Sequence, residues 1–110
     1  MKSLLTFRNA VNLKYLKSNI NVIDMLTTND IGDTYQLYEF VCTEFDIPKQ
    51  FAQPLLKYAF DMVELSYYDN LIQNSRTRMS RADSAQARRH DEEDIKRYTD
   101  VKNFLTSYTE

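Results

Sequence analysis

Apolar residues recur along most of this chain at spacings of three and four, the period of a helix with one face turned to a core. Leu4, Phe7, Val11 and Tyr15 predict a first helix, and Ile20, Ile23 and Leu26 a shorter piece after Ser18–Asn19. Thr27, Thr28, Asn29 and Asp30 follow, a cluster whose side chains accept hydrogen bonds from the free amides of a helix start. From there Ile31, Tyr35, Tyr38, Val41, Cys42 and Phe45 keep an unbroken helical period. Asp30 and Asp33 fall in its first turn, where the helix dipole favours negative charge.

Asp46-Ile47-Pro48 marks the next boundary, because a proline disfavours helical geometry in the residue before it and suits a helix start, with Asp46 as the expected cap. Pro54 would cost about 3 kcal/mol inside a helix. Residues 48–52 are therefore expected to form one short turn, and Pro54 to open a longer helix. Leu56, Ala59 or Phe60, Val63, Tyr67 and Leu71 give that helix its inward stripe, widened by Leu55, Met62 and Tyr68. From Gln73 to Asp94 the apolar pattern lapses, although the composition still favours helix. This segment is expected to be a solvated helical extension, a mobile linker or a stretch ordered by a partner. Ile95, Tyr98, Val101 or Lys102, Leu105 and Tyr108 then predict a last amphipathic helix, with Asp91 to Asp94 at its start.

Composition narrows this to one small all-α domain over residues 1–110, a bundle of four to six helices. With 43% hydrophobic residues the chain is too apolar for intrinsic disorder. One cysteine cannot make an internal disulfide, and one glycine is too few for a phosphate-cradling loop or a set of tight hairpins. The net charge of −2 hides three zones: +4 over residues 1–23, −7 over 24–70 and +1 over 71–110. The start of the first zone, MKSLLTFRNAVNLKYLKSN, is basic and free of acids, which is also the character of a mitochondrial import sequence.

Catalytic chemistry is thinly represented. His90 and Cys42 are the only residues of their types, and Cys42 falls on an inward stripe. His90 and Asp94 share a one-turn spacing but do not make the three or four ligands of a tight metal site. Asn29, Asp30 and Asp33 lack the alternating oxygens and terminal glutamate of a calcium loop, and Glu92 and Glu93 point to different sides of a helix. No enzyme, metal or cofactor is expected.

Six of the seven arginines lie between Arg76 and Arg97, and residues 75–90 carry a net +4. On one continuous helix Arg78, Arg81, Arg88 and Arg89 would sit near one side, at spacings of three, seven and eight. Such a set suits an acidic protein groove, phosphate oxygens or simply solvent. The fourteen aromatics are more than a core of this size must hide, so Phe40, Tyr58 and Tyr68 join the arginines as expected partner-binding residues.

The stretch FVCTEFDIPKQFAQPLLK, a helix, a D-I-P break and a second helix, is similar to the late-transcription coactivators of T4-type phages. The likeness covers under a fifth of the chain and assigns no residue a role; those proteins end in a short hydrophobic clamp-binding tail, which VKNFLTSYTE loosely resembles. The expected role is a non-catalytic interaction protein, an adaptor, regulator or assembly subunit, binding a protein partner or itself. The alternative is a nucleic-acid-associated regulator of the phage transcription-accessory kind, using residues 75–90 on phosphates. A cytoplasmic or virion-associated location is expected, without a membrane span or a small-molecule substrate.

Overall fold

The computed structural model describes residues 2–18, 20–27 and 31–109, with only the backbone at positions 31 and 33. The expected caps at Thr28, Asn29 and Asp30 lie outside those residues. Six helices are described: α1 (Leu4–Leu16), α2 (Val22–Thr27), α3 (Ile31–Phe45), α4 (Lys49–Ala59), α5 (Leu65–Ser80) and α6 (Ala85–Thr106). The all-α class is as expected. Two short strands, β1 (Lys2–Ser3) and β2 (Tyr108–Thr109), pair in parallel with Lys2 opposite Tyr108, holding together the two ends of the described chain. Two-residue strands carry no periodic signal, and the sequence offered no sign of them.

Local chemistry explains most boundaries. Ser3 caps α1 by accepting from the Thr6 amide at 3.1 Å, and Ser84 caps α6 by accepting from Ala87 at 3.1 Å. Asn21 does the same for α2, its Oδ1 accepting from the amides of Ile23 and Asp24. The start of α2 shifts the apolar face of this piece: Val22, Met25 and Leu26 are buried, and Ile20 and Ile23 are exposed. In α3, Leu37 and Val41 are the fully buried residues, whereas Tyr35 is turned out at 54% exposure.

Helices α3 and α4 end alike. Asp46 and Asp61 take positive φ, 53° and 60°, just past each helix. The next amide in each case reaches back to a carbonyl five residues earlier: Ile47 to Cys42 at 3.2 Å and Met62 to Lys57 at 2.8 Å. This is the closure usually made with glycine. Asp46 is thus the terminator of α3 rather than the cap of α4, whose first turn follows Pro48. Pro54 lies inside α4 and does not open a helix. The helix survives the lost amide because its other face buries Ala52, Leu55, Leu56 and Ala59. The expected long helix from Pro54 to Leu71 is two helices, broken by the left-handed turn at Asp61.

The core joins α1, α2, α3, α4 and the inner ends of α5 and α6. Phe7, Val11, Leu37, Val41, Leu55, Leu56 and Leu105 lie at its centre. Rings fill its margin: Phe7 meets Phe45 edge-on at 5.0 Å, and Phe51 stacks on Phe104 at 4.4 Å. The molecule measures 54 × 32 × 21 Å, and α5 and α6 pack along each other as an antiparallel hairpin.

Candidate functional site

The polar stretch over residues 73–94 is ordered as the outer half of this hairpin. α5 carries it to Ser80, residues 81–84 turn the chain, and α6 brings it back. The arginines therefore do not share one continuous helix: Arg76 and Arg78 lie on α5, Arg81 in the turn, and Arg88 and Arg89 on α6. Nothing from Arg76 to His90 is buried, so this end packs on little beyond itself.

Where the hairpin meets the core, three polar residues are buried: Ser75, Asp91 and Asp94. Arg78 joins them. Its Nε donates to Asp91 Oδ1 at 3.4 Å, its Nη2 donates to Ser75 Oγ at 3.1 Å, and the same nitrogen lies 3.8 Å from Asp94 Oδ2. Asp94 also accepts from Arg97 at 3.1 Å and faces His90 Nε2 at 3.8 Å. Asp91 and Asp94 were expected at a helix start; they sit in the middle of α6, two turns in, and hold the two helices together. The one-turn His90–Asp94 spacing sets the exposed imidazole beside the buried carboxylate on the same helix. Among the described residues no group of three or more His, Cys, Asp or Glu is placed to hold a metal ion.

This network divides the five arginines by role. Arg78 is occupied within the hairpin. Arg76, Arg81, Arg88 and Arg89 are exposed and make no ion pair among the described residues. They surround the hairpin's turn, with Asp83 the acid among them.

The three expected aromatic residues lie in the core or at its margin. Tyr68 is buried at 7% exposure and belongs to the core. Phe40 and Tyr58 are half-buried and pack on it; Phe40 meets the rings of Tyr15 and Phe45 edge-on, with the Lys14 ammonium 5.3 Å above it. Edge-to-face stacking lets more rings share the margin of a small core than counting inward stripes allows. The exposed large apolar residues are instead Leu5, Leu13, Leu16, Ile20, Ile23, Tyr35 and Tyr67. The first five fall in the acid-free stretch, and the signal for them was present: Leu5, Leu13 and Leu16 lie off the stripe that buries Leu4, Phe7 and Val11.

Cys42 is a free, half-buried cysteine beside the groove between α3 and α4. In the carboxy-terminal stretch Leu105 and Tyr108 are buried, so its apolar side chains serve the core. No helix among the described residues is long and apolar enough to cross a membrane. In comparison with known proteins, no family model, curated protein or solved structure matches this chain.

Proposed function

We propose that this chain is a non-catalytic interaction protein that docks the tip of its α5–α6 hairpin against an acidic protein surface. One observation carries this: four exposed arginines surround a turn with no carboxylate partner among the described residues, while the fifth is neutralised by Asp91 and Asp94. A guanidinium holds carboxylates through paired N–H donors, and arginine is enriched at the anchoring positions of protein interfaces. The hairpin suits presentation, because its polar network fixes the two helices while leaving the tip clear of the core.

The charge pattern favours a compact acidic partner over nucleic acid. The basic residues form a tip instead of a stripe, and Glu92 and Glu93 are exposed next to it on α6. A long polyanion would also meet the −7 of residues 24–70.

The test reverses the four free arginines together, Arg76, Arg81, Arg88 and Arg89 to glutamate, and leaves Arg78 in place. Affinity capture from the native source is run with both proteins, beside titration of duplex and single-stranded DNA and RNA at low and moderate salt. The expected result is a protein retained by the wild type and lost on reversal, with no nucleic-acid binding at moderate salt. Capture that survives reversal removes the hairpin from the function. Nucleic-acid binding that withstands moderate salt and disappears on reversal replaces the protein partner with phosphates.

A further inference from the structure

A groove of about 390 Å3 runs between α3 and α4. Tyr35, Tyr38, Glu39 and Cys42 line it from α3, and Lys49 and Gln53 from α4. Tyr38 and Gln53 hydrogen-bond across it and tie its two walls together. On α3 the buried Leu37 and Val41 turn to the core, which leaves Tyr35 and Glu39 turned out, one helical turn apart. An open tyrosine ring one turn from a carboxylate suits a guanidinium: the planar cation stacks on the ring while its N–H fork meets the oxygens. An ammonium group has no such plane or fork, so this pairing of ring and carboxylate favours arginine over lysine.

Charge points to the occupant. Residues 24–48 hold six acids and no base, and α3 lies within that run. Glu39, Glu44 and Asp46 are exposed and make no ion pair among the described residues. Lys49 is the base at the groove's edge. The complement is on the same chain: Arg76, Arg81, Arg88 and Arg89 at the hairpin tip are exposed and equally without ion pairs among the described residues. Shape agrees with charge, since a four-residue turn at 81–84 is a narrow convex end and the groove is concave. No ion pair joins tip and groove within one chain among the described residues, so both are available to another copy. The net charge of −2 is small enough that two copies meet little general repulsion.

We infer that the partner of the tip is a second copy of this chain: Arg81 and Arg88 of one copy enter the α3–α4 groove of the next, against Glu39 and the ring of Tyr35. This rests on the reading of the tip as a docking element and adds the identity of what it docks on. Two different patches joined from copy to copy build a ring or a chain of copies. A tip in a groove lies at the small end of specific interfaces, so association takes place at micromolar concentrations or above and is weakened by salt.

Sedimentation equilibrium from about 10 µM to about 1 mM, at about 0.05 M and about 0.5 M salt, tests it. The mass of the wild type rises with concentration, and less so at the higher salt. A tip variant, Arg81→Glu with Arg88→Glu, and a groove variant, Glu39→Lys with Glu44→Lys, each weaken self-association at least about tenfold, the scale of close interfacial charge pairs. Mixed in equal amounts the two associate again, because the acidic tip meets the basic groove and the native tip meets the native groove. Tyr35→Ser changes no charge and weakens association about two- to fivefold through the lost ring. Glu64→Lys with Asp100→Lys makes the same charge change away from the groove and leaves association as it was. All these positions are exposed, and far-UV circular dichroism verifies that each variant keeps its helices. A wild type that stays monomeric at the highest concentration and low salt overturns the inference. So does a mixture that associates no better than its parts, indifference to Tyr35→Ser, or an off-groove variant as weak as the groove variant. A monomeric wild type whose capture from the native source is still lost on the fourfold arginine reversal leaves the acidic partner standing and removes only the second copy, so the two failures are distinguishable.

Discussion

Asp91 and Asp94 lose most of their contact with water where α6 crosses Ser75 of α5, and a buried carboxylate is costly unless it is paired. Arg78 reaches both from the facing helix, while Arg97 and His90 reach Asp94 from its own. Asp91 depends most on Arg78, since no other cation pairs with it among the described residues. Arg78→Met should therefore lower stability by about 1–3 kcal/mol, the cost of leaving a largely buried charged acceptor without its donor. Arg78 is itself 60% exposed at its side chain, which keeps the figure below that of a fully buried pair. Arg81→Met, at the unpaired tip, should change stability by less than about 0.5 kcal/mol. Urea denaturation of the two variants beside the wild type separates them. Equal midpoints would mean that the hairpin does not rely on this network.

At the level of the elements, α3 and α4 close on aspartate where left-handed backbone favours glycine, a residue this chain uses once, at Gly32. Asp46→Gly relieves that conformation and should raise the urea midpoint, a gain of up to about 1 kcal/mol. Asp61→Gly should gain less, because Asp61 also pairs with Arg8 at 3.6 Å. These turns also show what could be read in advance. α1, α3 and the end of α6 were legible because each buries one stripe at helical spacing, with Phe7 and Val11, Val41, and Val101 and Leu105 on it. The break at Asp61 was not, since Phe60, Met62 and Val63 run apolar straight across it and a lone aspartate at positive φ leaves no mark in composition. Pro54 misled for the opposite reason. A local penalty of about 3 kcal/mol predicted a boundary that four buried neighbours outweigh. The arginine cluster was visible as charge. Its division into one occupied and four free side chains needed the turn at 81–84, which brings Asp91 opposite Arg78.

Across the whole molecule, strength is concentrated at one end. The core, the ring cluster and the paired strands all lie away from the hairpin's turn, which carries charge and little packing. Three tyrosines measure that core end from different elements. Burial pushes the Tyr38 phenol above its usual value near 10, partly offset by its hydrogen bond with Gln53. Burial does the same for Tyr68, helped by the neighbouring Tyr67, and for Tyr108 on the terminal strand. The sign of the pH effect follows from which state keeps the proton. Unfolded tyrosines ionise near pH 10, whereas these three stay neutral to higher pH in the fold, so above pH 10 the folded chain binds more protons. Their contribution is complete below pH 10 and is lost as pH rises through the folded values. The urea midpoint should hold from about pH 8 to about pH 9.5 and fall beyond about pH 10.5, with the last part of the tyrosinate absorbance rising together with loss of helix. Replacing Tyr68 and Tyr108 by phenylalanine should flatten the fall, because a ring without a hydroxyl has no proton to lose. An equally steep fall in that double variant would place the alkaline weakness outside these two phenols.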